Sequence, residues 1–215
     1  DPQTVFSSID HRGRYAYSNQ PPIAAWNLAR LAETLLPLIH DDQEKAISMA
    51  QDVLHSFEGK FQQQWLQMMR RKLGLLTEEK EDDKLIGDLL QWMQQNHADF
   101  TNTFRDLSTA QLPDNKIYQD STFTEWHTRW QDRLSRHQQL LSSSWELMQN
   151  TNPAFIPRNH RVEAALRTAE EHNDFSVFQN LLDVLSEPYQ DKIQYEDFKT
   201  PPTPGERVHQ TFCGT

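Results

Sequence analysis

Several things are scarce in this 215-residue sequence, and each shortage removes a class of function. There is one cysteine, Cys213, which leaves no intrachain disulfide framework and no cysteine-based zinc site. The six glycines (13, 59, 74, 87, 205 and 214) never stand as Gly-x-Gly, so neither a Rossmann fingerprint nor a Walker phosphate loop can be written on the chain. Positive charge is outnumbered: 21 Lys and Arg against 31 Asp and Glu give a formal charge of −10. Nucleic acid and anionic membranes are bound by clustered cations, and this balance argues against both. No apolar run approaches the roughly 20 residues that span a bilayer. His-Glu-x-x-His is missing, Glu170-Glu171-His172 lacks ligand spacing, and His40-Asp41-Asp42 reads as a helix junction. A metal held wholly by this chain is therefore not expected.

What is present points to helices. Six Trp and eleven Phe can anchor a core, and no stretch alternates as a half-buried strand does. Pro21-Pro22 opens a first helix carrying Ile23, Trp26, Arg30, Leu31, Leu35 and Leu38 on one face, with Pro37 near its end. Ala46, Ala50, Val53, Phe57, Phe61, Trp65 and Met68 continue one stripe along a second, long helix. Gly59 is a place for a kink in it. Arg70, Arg71 and Lys72 complement its negative end, and Gly74 supplies a left-handed cap. Only Leu75-Leu76 then precedes Thr77, which predicts a third helix capped by Thr77 and lying antiparallel to the second. Asp99 caps a short helix with Phe104 and Leu107. Thr122-x-x-Glu125 forms a capping box for one long helix through Trp126, Trp130, His137, Leu141 and Met148, and Asn159 and Asp174 cap two more. Residues 1–22 read as a loop, 23–187 as the helical domain and 188–215 as a Pro-rich tail. The fold class is all-α.

Few residues stand out for chemistry. Glu78, Glu79, Glu81, Asp82 and Asp83 sit at a helix start, where the dipole explains them as a solvated acidic face. Phe57/Phe61/Trp65 and Phe123/Trp126/Trp130 have core spacing, with a docking surface as the alternative. Cys213 is a redox candidate; a thiol reacts when its pKa is lowered, and only Arg207 and His209 stand near it in sequence. Two polar clusters are denser than connectors require: Asp10-His11-Arg12-Gly13-Arg14-Tyr15, and Asn152-Pro153 through Arg158-Asn159-His160-Arg161. Paired arginines in a loop clamp a carboxylate or phosphate, or else brace helix ends through carbonyls.

These same clusters carry a family resemblance. Gly13-Arg14-Tyr15-Ala16-Tyr17-x-Asn19-Gln20-Pro21 leading into Trp26-Asn27-Leu28-Ala29-Arg30-Leu31, then Asn152-Pro153 with Pro157-Arg158-Asn159-His160, and finally Gly205-Glu206-Arg207 with Thr211-Phe212-Cys213, resemble the selenoprotein O (SelO/YdiU) family over the whole chain. The resemblance implies a protein-kinase-like fold that transfers AMP from ATP to Ser, Thr or Tyr hydroxyls of proteins with Mg²⁺ or Mn²⁺. It also implies that the nucleotide-binding and metal-binding residues lie upstream of Gly13-Arg14-Tyr15. The chain, which starts at Asp1-Pro2 without an initiator Met, then reads as the C-terminal part: helices of the large lobe and an extension, inactive alone and binding no cofactor itself. No catalytic, nucleotide or metal residue is assigned. Arg12, Arg14, Tyr15, Asn19, Gln20, Arg158, Asn159 and His160 are candidates for flanking the active site or for bracing structure. Cys213 falls where the family's namesakes carry selenocysteine, and residues 4–9 hold no second cysteine to pair with it. The partners implied are the N-terminal kinase-like portion and protein substrates, and the implied location is the bacterial cytoplasm. The alternative is an independent helical interaction module.

Overall fold

The computed structural model describes residues 1–136, 141–208, 210 and 211. Among them the regular structure is helical, with no strand, and no helix is long and apolar enough to cross a membrane. The chain divides into two compact units. One holds Asp1–Gln67 with His209–Thr215, the other Met68–Val208.

In the first unit a short 3-10 turn, Tyr17–Asn19, leads into α1 (Gln20–Ile39), which opens on Pro21 and Pro22 and runs through Pro37. His40 is extended, and its Nδ1 accepts from the Asp42 N–H at 2.8 Å. The Asp42 carboxylate in turn accepts from Glu44 and Lys45, capping α2 (Gln43–Lys72). Helix α2 is unbroken through Gly59. Its stripe is not buried as the spacing predicted: Val53 is 68% and Phe61 38% exposed, and only Ala46 and Ala50 are covered. Periodicity sets the face; a covering element must then exist to bury it, and the first unit offers α1 alone.

The second unit starts at the end of α2, which closes in a Schellman turn. The Leu75 N–H donates to Arg70 O at 2.9 Å and the Gly74 N–H to Arg71 O at 3.2 Å, with Gly74 at φ 69°. Helix α3 (Asp82–Gln95) begins four residues later than a Thr77 cap would place it, because Asp82 is drawn inward by two arginines. It packs chiefly on α5 rather than beside α2. Helix α4 (Phe100–Leu107) is capped by Asp99, which accepts from the Asn102 N–H at 2.8 Å. Helix α5 (Ser121–Ser135) is capped by Asp120, accepting from the Phe123 N–H at 3.0 Å, and not by Thr122. Asp120 also holds Trp92 Nε1 at 3.0 Å, a tertiary tie that Thr122 does not make.

The single long helix expected from Thr122 onward is two. Helix α5 ends at Ser135 and α6 runs Leu141–Thr151. Trp130 and Trp145 meet edge-on at 6.1 Å, whereas fifteen residues of one helix would separate them by about 22 Å. Helices α7 (Asn159–His172) and α8 (Ser176–Ser186) form a pair. Asn159 is the first residue of α7, not its cap; Arg158 holds that place without a side-chain bond. Phe175, not Asp174, holds the cap place of α8, although Asp174 one residue before it accepts from the Ser176 N–H at 2.9 Å.

The core of this unit is aromatic. Trp92, Phe104, Phe123, Trp126 and Trp130 are each 1% exposed. Trp126 Nε1 donates to Leu85 O at 2.8 Å and Trp130 Nε1 to Leu73 O at 2.9 Å, so neither indole loses its hydrogen bond on burial. The Pro-rich segment wraps this unit: Pro188 O accepts from Ala154 and Phe155 N–H, and Tyr195 and Phe198 pack on Ala154, Phe155 and Val184.

Candidate functional site

The first polar cluster is a turn organised by one carboxylate. Asp10 accepts from the backbone N–H groups of Arg14 and Tyr15, both at 2.8 Å. These bonds, Tyr15 first, hold its pKa below the usual carboxylate value. Gly13 at φ 64° lets the chain reverse. The Asn19 amide donates to Gly13 O at 2.7 Å and the Gln20 amide to Tyr15 O at 2.5 Å, fixing the turn on the start of α1. The Arg14 guanidinium lies 4.5 Å over the Trp26 ring and Arg30 lies 5.5 Å over it. Arg12, Arg14, Tyr15, Asn19 and Gln20 are all exposed. Two cations on one indole are stacking partners, and their forks remain at the surface.

The second cluster is buried and braced. Arg158, 8% exposed, reaches both oxygens of Asp99 at 2.8 and 3.1 Å and Asn102 Oδ1 at 2.9 Å. It thereby ties the start of α7 to the cap of α4. Arg161 donates to Asp197 O at 2.6 Å and lies 5.4 Å over Phe198. His160 is 9% exposed, and its Nδ1 has no hydrogen-bond partner among the described residues. Burial, then Arg161, pushes its pKa down. Asn159 is exposed. Glu206 caps its own turn, accepting from Thr203 N–H and Oγ1 at 2.9 and 2.7 Å. Each cluster is closed within its own unit. Cys213 lies outside the described residues.

Sequence reading passed over three charged groups that hold the second unit together. Asp82, 1% exposed, accepts from Arg70 Nε at 2.8 Å, Arg133 Nε at 2.9 Å and the Glu79 N–H at 2.9 Å. Burial alone pushes its pKa up; the Arg133, Glu79 and Arg70 bonds outweigh that and hold it below the usual value. Within the acidic run Asp82 and the half-buried Glu79 thus form an ion-pair network, with Glu79 bonded to Arg133 and Arg136 and Glu78 to Arg70, while Glu78, Glu81 and Asp83 stay exposed as a solvated face would be. Arg105, 7% exposed, donates to the carbonyls of Gln149, Asn152 and Tyr189 and to Asp191. Lys72 Nζ meets Asn152 Oδ1 at 3.2 Å between the Phe100 and Phe104 rings, and burial lowers its pKa. Local signals could not mark these residues, because each has a partner more than forty residues away.

Among the described residues no group of three or more His, Cys, Asp or Glu could hold a metal ion. The densest acidic group, around Asp82, is neutralised by three arginines, and the arginines of the second cluster already hold carboxylates, amides or carbonyls.

Residues 1–186 match the family described as SelO, protein adenylyltransferase SelO. Over all 215 residues the chain is 61% identical to the protein nucleotidyltransferase YdiU of Nitrosococcus oceani, 54% to that of Alcanivorax borkumensis and 47% to that of Bacillus cereus. In each case the match takes in all of this chain but 44% of the relative. The chain therefore spans less than half the length of these relatives and corresponds to a C-terminal portion of them. With motifs at both ends and in the last third, and a match that leaves no part of it out, the chain belongs to the SelO/YdiU family of nucleotidyltransferases.

Proposed function

We propose that this chain is the C-terminal part of a protein adenylyltransferase in which AMP passes from ATP to Ser, Thr or Tyr hydroxyls of substrate proteins, and that it does not catalyse this transfer alone. The observation that carries the reading is the full-length identity to nucleotidyltransferases of which it forms only 44%. Transfer from a nucleoside triphosphate depends on positioning and on electrostatic stabilisation around the phosphates. The groups for that work, a phosphate-binding lysine and Mg²⁺ or Mn²⁺ ligands, belong on this reading to the portion that precedes Asp1. This chain completes the large, kinase-like lobe, and its opening turn around Arg14 and Tyr15 flanks the site. Its partners are the preceding portion and the substrate proteins, and its setting is the bacterial cytoplasm.

Calorimetry tests the first half: ATP titrated into the 215-residue chain with Mg²⁺ or Mn²⁺ should give no binding heat, and micromolar binding would overturn it. For the second half, the chain is joined to the preceding portion of the Nitrosococcus oceani relative. This chimera should transfer label from α-³²P-ATP to protein. A folded chimera that binds ATP but labels nothing would remove AMP transfer from the reading.

A further inference from the structure

Helix α1 has the composition of a buried helix and no buried residue. Of its twenty residues only Arg30 and Glu33 are charged, and these pair with each other at 2.6 Å. Yet Trp26 is 48%, Leu31 53% and Leu38 82% exposed. Across from it, α2 shows Met49 at 50% and Val53 at 68%. Between the two runs a groove of about 400 Å³ lined by Leu28, Leu31, Leu35, Met49, Val53 and Phe57. A helix apolar nearly all round is normally inside a larger protein, and a contiguous apolar patch marks a docking surface.

Chain length and the course of the opening segment identify the occupant. More than half of each relative lies outside the matched stretch, which is C-terminal. The first residues are tied to the start of α1: Pro2 O accepts from the Ser18 N–H and Thr4 O from the Tyr17 N–H, both at 2.9 Å. Polypeptide preceding Asp1 therefore departs from beside this helix. We propose that the α1–α2 groove is the seat of that preceding polypeptide, which inserts aliphatic and aromatic side chains between the two helices. The inference rests on the chain being the C-terminal part of a longer protein, and not on AMP transfer.

Thiol accessibility tests it without reference to activity. In a Cys213→Ser background, Leu31→Cys and Val53→Cys each place one reporter on either wall of the groove. In the isolated chain both should react readily with a disulfide reagent. In the chimera with the preceding portion of the Nitrosococcus oceani relative, both should react at least tenfold more slowly. Unchanged rates at either position overturn the proposal. So does protection already present in the isolated chain that rises with concentration alongside a dimer mass in light scattering, since the groove would then belong to a second copy. Should a cysteine variant fail to fold, hydrogen exchange across residues 26–39 of the unsubstituted chain reads the same contrast, and equal exchange in both proteins refutes it. A chimera that protects the groove but transfers no AMP leaves the docking intact and sinks the catalytic reading.

Discussion

Asp82 shows most clearly what one residue does here. A carboxylate 1% exposed survives burial only because Arg70 and Arg133 face it. Removing one partner of such a group leaves uncompensated buried charge, which costs about 3–5 kcal/mol. Asp82→Asn should lose that much in urea denaturation at pH 7; a loss below 1 kcal/mol would show the network to be solvated. Its pH dependence has a definite sign. The folded pKa lies below the unfolded one, so the stabilisation is full above the unfolded value of about 3.9 and disappears as pH falls through the folded value. The gap between wild type and Asp82→Asn should therefore close below pH 4, and a gap that stayed constant down to pH 2 would refute the assignment. Nothing local singles out Asp82 from Glu78, Glu79, Glu81 and Asp83. The choice is made by Arg133, 51 residues away, which is why the run reads as solvent-facing in sequence.

Elements were legible where their ends carry backbone chemistry. Gly74, Asp99 and Pro21-Pro22 each mark a boundary the structure keeps. The α5–α6 break was not legible, because Leu134, Leu141, Trp145 and Met148 continue the helical phase and no Gly or Pro interrupts it. The long-range contact of Trp130 with Trp145 shows the break. Two glycines turn this into a paired prediction. At Gly74, a left-handed φ of 69° costs a residue with a Cβ about 1–2 kcal/mol. There the Cβ would also stand 3.1 Å from Met148 Cε and Ser144 O. Gly87 lies inside α3 with nothing within 4 Å of an added Cβ, so alanine should gain about 1 kcal/mol of helix propensity. In thermal unfolding Gly74→Ala should melt lower than the parent and Gly87→Ala higher. The same sign for both would mean that helix ends and interiors are not what distinguishes them.

At the scale of the whole chain, two aromatic stripes of helical spacing have different fates. Phe123, Trp126 and Trp130 are each 1% exposed, whereas Phe57, Phe61 and Trp65 remain half-buried or open. Spacing shows that a face is apolar and cannot show what covers it, and within the first unit no described residue buries this one. The candidate site was unreadable for a related reason: its polar clusters are densest where the chain braces its own turns, and on the proposed reading the reacting groups precede Asp1. This imbalance has a measurable consequence. The buried apolar residues of the first unit are Ala16, Ala46 and Ala50, while every larger one belongs to the second. Segments with few buried contacts open at low free energy, and hydrogen exchange reports that opening. In the isolated chain the amides of α1 should exchange orders of magnitude faster than those of α5, whose rings are locked by Trp126 and Trp130. Most helical stability in proteins comes from tertiary packing of an apolar face, and α1 buries no residue, so its hydrogen bonds alone will not protect it. Protection of α1 equal to that of α5 in a monomer would mean that the first unit is stable without a cover, and the exposed groove would then need no partner at all.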